Sequence, residues 1–258
     1  MSPRPDRAAW FHDRGARCGP IPLPPGRVFR LVLLGPPGVG KGTQAGLLCE
    51  ALGACHLSTG DLFRAAREQA DPSPALRAAL AAVRRGDLVS DGVVVSLVHE
   101  RSECLRCRRG FLLDGFPRTL AQAEALQGLL ALQGVDLDAV LSYELPLEEV
   151  VARLGGRRTC RTCKAVYHAT SRPPRAEGVC DQCGGELFLR EDDRPEAIRI
   201  RMAAFEESTR PLVGYYERAG KLLRIPATGT PDEILRRSLR ALDERLGTTS
   251  AGPREAPR

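Results

Sequence analysis

Hydrophobic residues in this chain fall into two alternating arrangements. Short continuous runs occupy residues 28–34, 111–113, 139–145 and 222–225, a pattern expected of strands buried on both faces. Between them the spacing turns helical. Ala45, Leu48, Ala51 and Leu52 follow a glycine-rich turn and close at Gly53, a residue suited to a helix C-terminus. The last helix is the best marked: Thr230 and Glu233 are placed for a capping box, Pro231 for the first helical position, and Leu235, Leu239, Leu242 and Leu246 for one apolar stripe ending at Gly247. Strand, loop and helix in repeated succession predict the α/β class, a parallel sheet wrapped by helices. The sequence contains no internal repeat.

Length and composition narrow the picture. A chain of 258 residues with 43% apolar and 27% charged residues is that of a folded protein of one or two domains, which excludes a disulfide miniprotein and global disorder. No stretch approaches the roughly 18 uninterrupted apolar residues that a membrane span requires, and the first 30 residues have no secretory apolar run. The expectation is a cytoplasmic protein with no membrane partner. Residues 1–27, rich in Arg and Pro, read as a disordered leader, and residues 248–258 as a flexible tail. Asp6, Asp13 and the scarcity of Ser fit an organellar targeting peptide poorly, and a reading frame taken to start too far upstream is the alternative to a leader. A net charge of +6 favours an anionic partner without naming it. Only three of the 38 basic residues are lysine, so a site that uses Lys in place of Arg signals a need for a compact ammonium.

One such site follows the first strand. Gly35-Pro-Pro-Gly38-Val39-Gly40-Lys41-Gly42-Thr43 fits a phosphate loop, with Gly42 inserted before the hydroxyl residue. Glycines let successive backbone N–H groups turn inward, the helix N-terminus adds positive potential, and Lys41 reaches the outer phosphates. A second signal is Asp114, which ends the run of residues 111–113 where ligands of open α/β sheets gather. A carboxylate there suits the hydration shell of Mg²⁺, which prefers oxygen ligands and keeps waters.

Two CxxC pairs, Cys160/Cys163 and Cys180/Cys183, enclose 16 residues, a spacing that predicts a tetrahedral zinc site. Four thiolates close the coordination sphere, so the metal would fold a small module and leave no position for water. Disulfides are the alternative, disfavoured in a reducing compartment. Cys104 and Cys107 have no second pair nearby, and Cys18, Cys49 and Cys55 read as incidental.

Taken together, GPPGVGKGTQA, LSTGDLFR, GDLVSD, LLDGFPRTLAQAE and GGRR resemble the adenylate kinases of the bacterial long-lid type, in the family's order over residues 28–247. The resemblance implies a core of residues 28–57, 90–155 and 194–247, a small helical AMP-binding segment at 58–89, and a zinc-bound lid at 156–193. It implies that Gly38, Val39, Gly40, Lys41, Gly42, Thr43, Arg153, Arg157, Val166, Tyr167 and Pro231 bind ATP. AMP would meet Thr59, Arg64, Asp87, Leu88, Val89, Gly115, Phe116, Pro117, Arg118, Gln122, Arg190 and Arg201. Lys41, Asp114, Arg118, Arg157, Arg190 and Arg201 would act on the transferring group, with Mg²⁺, in a monomer that turns ATP and AMP into two ADP. Phosphoryl transfer needs positioning and charge stabilisation more than covalent help, which these groups supply. Ala121 and Pro231 depart from the family's usual Pro and Lys, and about four residues are added between Gln122 and Val140. His168 reads as structural or exposed, and Gly155-Gly156 as a hinge or a simple turn. Another nucleoside monophosphate kinase, or a zinc-ribbon nucleic-acid binder, are the competing readings. The second is weakened by an aromatic content of only 5% and by dispersed arginines, so no nucleic-acid partner is expected.

Overall fold

The computed structural model describes residues 27–66, 72–85, 89–101, 105, 108–163 and 165–247. Strand β1 (Phe29–Leu34) leads into α1 (Lys41–Leu52), and β2 (Cys55–Ser58) is followed by α2 (Thr59–Ala66), α3 (Pro74–Arg85) and α4 (Asp91–Glu100). The chain then returns as β3 (Gly110–Asp114), α5 (Leu120–Leu132), β4 (Ala139–Glu144) and α6 (Leu147–Gly156). An excursion of short strands, β5 (Arg157–Cys160), β6 (Val166–His168) and β7 (Leu187–Phe188), ends in a 3₁₀ turn at Glu191–Asp193. Helix α7 (Pro195–Ala204) passes through a π-helical turn into α8 (Pro211–Arg218), and β8 (Leu222–Pro226) and α9 (Pro231–Leu246) complete the fold.

The large sheet has the order β2-β3-β1-β4-β8, with every pair parallel. Both faces are covered, which is why its strands are continuous apolar runs. One face packs Val32, Leu57, Phe111, Leu113 and Val140 against side chains of α3, α4, α5 and α8. The other packs Leu31, Leu33, Leu112 and Leu141 against α1 and α9. Each such fully buried Leu or Phe contributes roughly 1.5–3 kcal/mol of transfer free energy.

Three details differ from the sequence reading. The four-residue strand β2, Cys-His-Leu-Ser, carries no apolar run and was not foreseen, yet all four residues are buried. On α9 the capping box is present, but the innermost face is Ile234, Ser238 and Leu242, with Leu235, Leu239 and Leu246 flanking it. Ser238 is there because the buried phenol of Tyr143 needs a polar partner, and the two oxygens lie 3.0 Å apart. On α1, Ala51 faces solvent while Cys49 and Gln44 point inward. Cys49 and Cys55 thus serve as small apolar core residues.

Arg27, assigned to the leader from sequence, is part of the fold. It donates to the carbonyl of Leu246 at 3.1 Å and to Asp138 at 2.8 Å, tying the start of β1 to the end of α9. The rest of the leader and the tail, residues 1–26 and 248–258, lie outside the described residues, as do Cys18, Cys104 and Cys107.

Candidate active site

The parallel register brings the carboxyl ends of the strands to one edge, with Asp114 opposite Leu33 on one side and Ser58 on the other. The phosphate loop rises from that edge. Gly35 and Gly38 have φ of +137° and +82°, and a side chain at either would collide, with the carbonyl of Tyr143 at 2.6 Å or with Leu154 at 2.5 Å. Val39 turns its side chain into the core, so only its backbone faces the loop. Gly40, left-handed at φ 105°, starts α1 without a side-chain cap, which leaves the first helical N–H groups directed at the site. Gly42 and Thr43 are exposed there.

Lys41 Nζ donates to the carbonyls of Gly35 and Pro36 at 2.6 and 2.9 Å. Its pKa is lowered to about 8, chiefly by burial, opposed by Asp114 and reinforced by Arg118, Arg201 and Arg157. Above that value the free protein loses this charge, so kcat/KM for ATP should fall as pH rises through 8, while kcat at saturating nucleotide persists higher because phosphates favour the ammonium. Because the unfolded lysine keeps its proton to its ordinary 10.5, the unfolded state binds more protons between these values, and stability from this group rises with pH across that window. A flat kcat/KM profile for ATP from pH 7.5 to 9.5 would contradict the first expectation.

Asp114 meets a residue that sequence reasoning missed. His56, buried on β2, places Nε2 at 3.6 Å from Asp114 Oδ2. Burial works to raise the Asp114 carboxyl, but His56, Lys41 and Arg118 outweigh it and hold it below the ordinary range. A carboxylate kept ionised beside the start of α1 fits a hydrated Mg²⁺. The only available signal was adjacency, since His56 immediately precedes the LSTGD motif.

The arginines come from separate elements. Arg157, at the start of β5, donates to the buried carboxylate of Asp193 at 2.6 Å, and Arg201 of α7 approaches the same carboxylate at 3.4 Å. Asp193 is 1% exposed and was not singled out from sequence. It holds two like charges side by side next to the Lys41 cluster, and no residue spacing announces that pairing. Arg190 donates to the Thr159 hydroxyl, 2.8 Å away, at the base of the excursion. Arg153 donates to Val39 O at 3.2 Å and Ala227 O at 2.8 Å, bridging the phosphate loop and the loop before α9. The Pro231 carbonyl accepts the Gln44 amide at 2.9 Å.

On the opposite side of Asp114, Thr59 is buried with its hydroxyl 3.4 Å from Asp114 O. Gly115 has no room for a side chain, since a Cβ would lie 2.7 Å from that hydroxyl. Phe116 is a core residue, so it and the buried Pro117 offer the site mainly backbone. Arg118 folds back to donate to Gly115 O at 2.8 Å, and its own carbonyl accepts the Thr209 hydroxyl at 3.0 Å. Thr209 lies in the π-helical turn, a feature frequent at functional sites. Gln122 is buried in the first turn of α5. Val89 stands just before α4, while the Arg64 side chain, Asp87 and Leu88 lie outside the described residues.

The four cysteines of the excursion converge. Their sulfurs all lie within 4.8 Å of one another, and Cys160–Cys183 and Cys163–Cys180 are each 3.5 Å apart. A tetrahedral Zn²⁺ with four thiolates at about 2.3 Å needs sulfurs roughly 3.8 Å apart, so the donor set fits that ion. Tyr167 is turned inward: its phenol lies 3.5 Å from Cys180 Sγ and accepts the Asp181 N–H at 2.9 Å. Only the backbone of Tyr167 and the half-exposed Val166 are left to a nucleotide. His168 is structural. Its Nδ1 accepts the Thr170 and Ser171 N–H groups at 3.2 and 3.1 Å, which leaves Nε2 to donate to Ala152 O at 3.3 Å. The ring lies where a side chain on Gly156 would be, at 2.2 Å, so Gly156 serves close packing of this module against α6.

Cations gathered around a phosphate loop and an ionised carboxylate are the equipment of a phosphotransferase of the nucleoside monophosphate kinase class. Residues 33–221 match a family model described as Adenylate kinase. The Adenylate kinase of Streptomyces coelicolor is 50% identical over 215 residues, covering 83% of this chain and 98% of that protein. That of Carboxydothermus hydrogenoformans is 47% identical over 206 residues, 80% and 95% of the two chains, and that of Acidothermus cellulolyticus 48% identical over 214, 83% and 98%. The chain belongs to the adenylate kinase family, and its reaction is the transfer of a phosphoryl group between adenine nucleotides.

Proposed function

We propose that the reaction is Mg²⁺-dependent transfer from ATP to AMP giving two ADP, with the two nucleotides head to head across the Lys41 cluster. The observation that carries this reading is the company Lys41 keeps: Asp114 at the end of β3, Arg118 in the loop after it, Arg157 of β5 and Arg201 of α7 all act on it electrostatically. The backbone of Gly38 to Thr43 and Lys41 hold the ATP phosphates, with Arg153, Arg157, the backbone of Val166 and Tyr167, and Pro231 toward the nucleoside. Thr59, Arg64, the segment Asp87, Leu88 and Val89, residues Gly115 to Arg118, and Gln122 hold AMP, with Arg190 and Arg201 reaching its phosphate. Asp114 would hold Mg²⁺, which would supply charge neutralisation on the transferring phosphates.

An AMP phosphate oxygen attacks the terminal phosphorus of ATP as the bond to the bridging oxygen breaks. Lys41 and the arginines stabilise charge on the moving group. Arg157 and Arg201 exchange their shared partner Asp193 for phosphate oxygens as the site fills. Residues 58–89 and 156–193 close over the two nucleotides and exclude water, so that the phosphoryl group goes to AMP and not to hydrolysis. Zn²⁺ is structural, on Cys160, Cys163, Cys180 and Cys183. The protein works as a cytoplasmic monomer without nucleic-acid or membrane partners. No helix among the described residues is long and apolar enough to cross a membrane.

Supplying Mg-ATP with AMP, GMP, CMP or UMP in parallel and measuring diphosphate formation tests the reading. AMP should be preferred by about a hundredfold or more in kcat/KM. Comparable use of a pyrimidine monophosphate would assign the chain a different acceptor.

A further inference from the structure

Resting on the proposed role of Gln122 in holding AMP, the geometry points to Asp91 as the residue that sets which way the Gln122 amide faces a base, and with it the preference for adenine. A carboxamide has an acceptor oxygen and a two-proton donor nitrogen of nearly the same shape, so its reading direction is set by its neighbours. Here both ends are committed. The Arg118 backbone N–H donates to Gln122 Oε1 at 2.8 Å, and Gln122 Nε2 donates to Asp91 Oδ1 at 2.7 Å. The reversed amide would set an N–H against an N–H and an oxygen against a carboxylate oxygen. Gln122 is 4% exposed, where such mismatches are not relieved by water.

Asp91 is itself locked. Its Oδ2 accepts the Thr119 hydroxyl at 2.8 Å, and Thr119 caps α5 by accepting the Gln122 N–H at 3.2 Å. Asp91 is the first residue of α4 and Thr119 precedes α5, so the network ties the two helices together and fixes the amide in one orientation.

Each committed bond uses one lone pair on Oε1 and one hydrogen on Nε2. What is left for a ligand is one acceptor on the oxygen and one donor on the nitrogen. Adenine presents a donor, its exocyclic amine, beside a ring-nitrogen acceptor, which matches that pair. Guanine and hypoxanthine present an oxygen acceptor beside a ring N–H donor, the opposite order, and would need the reversed amide. Asp91 is therefore a positioning residue that acts on base choice through Gln122.

The test compares kcat/KM for AMP and GMP in the full-length wild type, Asp91→Ala, Asp91→Asn and Gln122→Ala, with KM for ATP as an internal reference. Asp91→Ala should lower the AMP-to-GMP ratio by about tenfold or more, mostly through KM for the monophosphate, with KM for ATP unchanged. Asp91→Asn keeps an oxygen for Gln122 Nε2 and should restore most of the ratio. A ratio that stays at the wild-type value in Asp91→Ala while collapsing in Gln122→Ala would overturn the inference. An unchanged ratio in Gln122→Ala would instead remove the base contact on which it rests. Should Asp91→Ala fail to fold, the wild type still decides: the Gln122 side-chain amide protons should exchange with solvent much more slowly than those of the exposed Gln127. Equal exchange would show that no lock exists.

Discussion

Replacing Lys41 by Met should lower kcat by about a thousandfold and leave the melting temperature within a few degrees of wild type. The rate loss follows from position. The ammonium sits among Asp114, Arg118, Arg157 and Arg201, where charge would develop in the proposed transfer, and methionine keeps its length without its charge. The small change in stability follows from burial. Among the described residues Lys41 donates to the carbonyls of Gly35 and Pro36, so the variant loses two hydrogen bonds but also relieves a disfavoured buried charge. Lys41→Arg should be poor too, because a planar fork does not fit a loop closed by Gly35 and Gly38 against Tyr143 and Leu154. The measurement is steady-state turnover with both nucleotides saturating, alongside a thermal melt. Turnover within tenfold of wild type would remove Lys41 from the transfer step.

The same comparison separates what a linear sequence carries from what only folding reveals. The central strands were legible because burial on both faces writes them as uninterrupted apolar runs. The phosphate loop was legible because its chemistry is local, with glycines, lysine and helix start within nine residues. Strand β2 was not. Its core side chains include Cys55 and His56, and Cys55 packs in the cluster that α3, α4, α5 and α8 complete later in the chain. Residue identity also failed to tell side chain from backbone: Val39 and Phe116 lie in motifs and the resemblance gave Tyr167 to ATP, yet each side chain packs inward. Asp193 and Asp91 were missed for one reason. Each is a carboxylate whose role is to hold other site residues, Arg157 and Arg201 in one case and Gln122 in the other, over separations of 36, 8 and 31 residues. No periodicity records such a pairing, and although Asp91 ends the GDLVSD motif, the motif does not show that its partner is Gln122.

Stripping the metal should unfold the lid while the sheet survives. The lid's own core consists of Cys160, Tyr167, Cys180 and Leu187, with Cys163 and Ala165 packed against it. Half of its four buried residues are therefore members of the four-cysteine cluster proposed to hold zinc. A segment of this size without a metal buries too little apolar surface to offset its ordering entropy. The large sheet has two independent cores and none of its residues among the cysteine ligands. Chelation at neutral pH with a thiol reagent should release about one zinc per chain and lower the melting temperature by around 10 °C, since metal binding and lid folding are one equilibrium. Far-UV signal from the helices should persist. Activity should fall with it, because Arg157 and Asp193 bracket the lid and the ordering of β5 fixes where that guanidinium stands. Cys180→Ser should reproduce the loss in part, and added zinc should restore the wild type but not this variant. Freshly purified protein without bound metal, or a melting temperature indifferent to chelation, would refute the structural role assigned to the four thiolates.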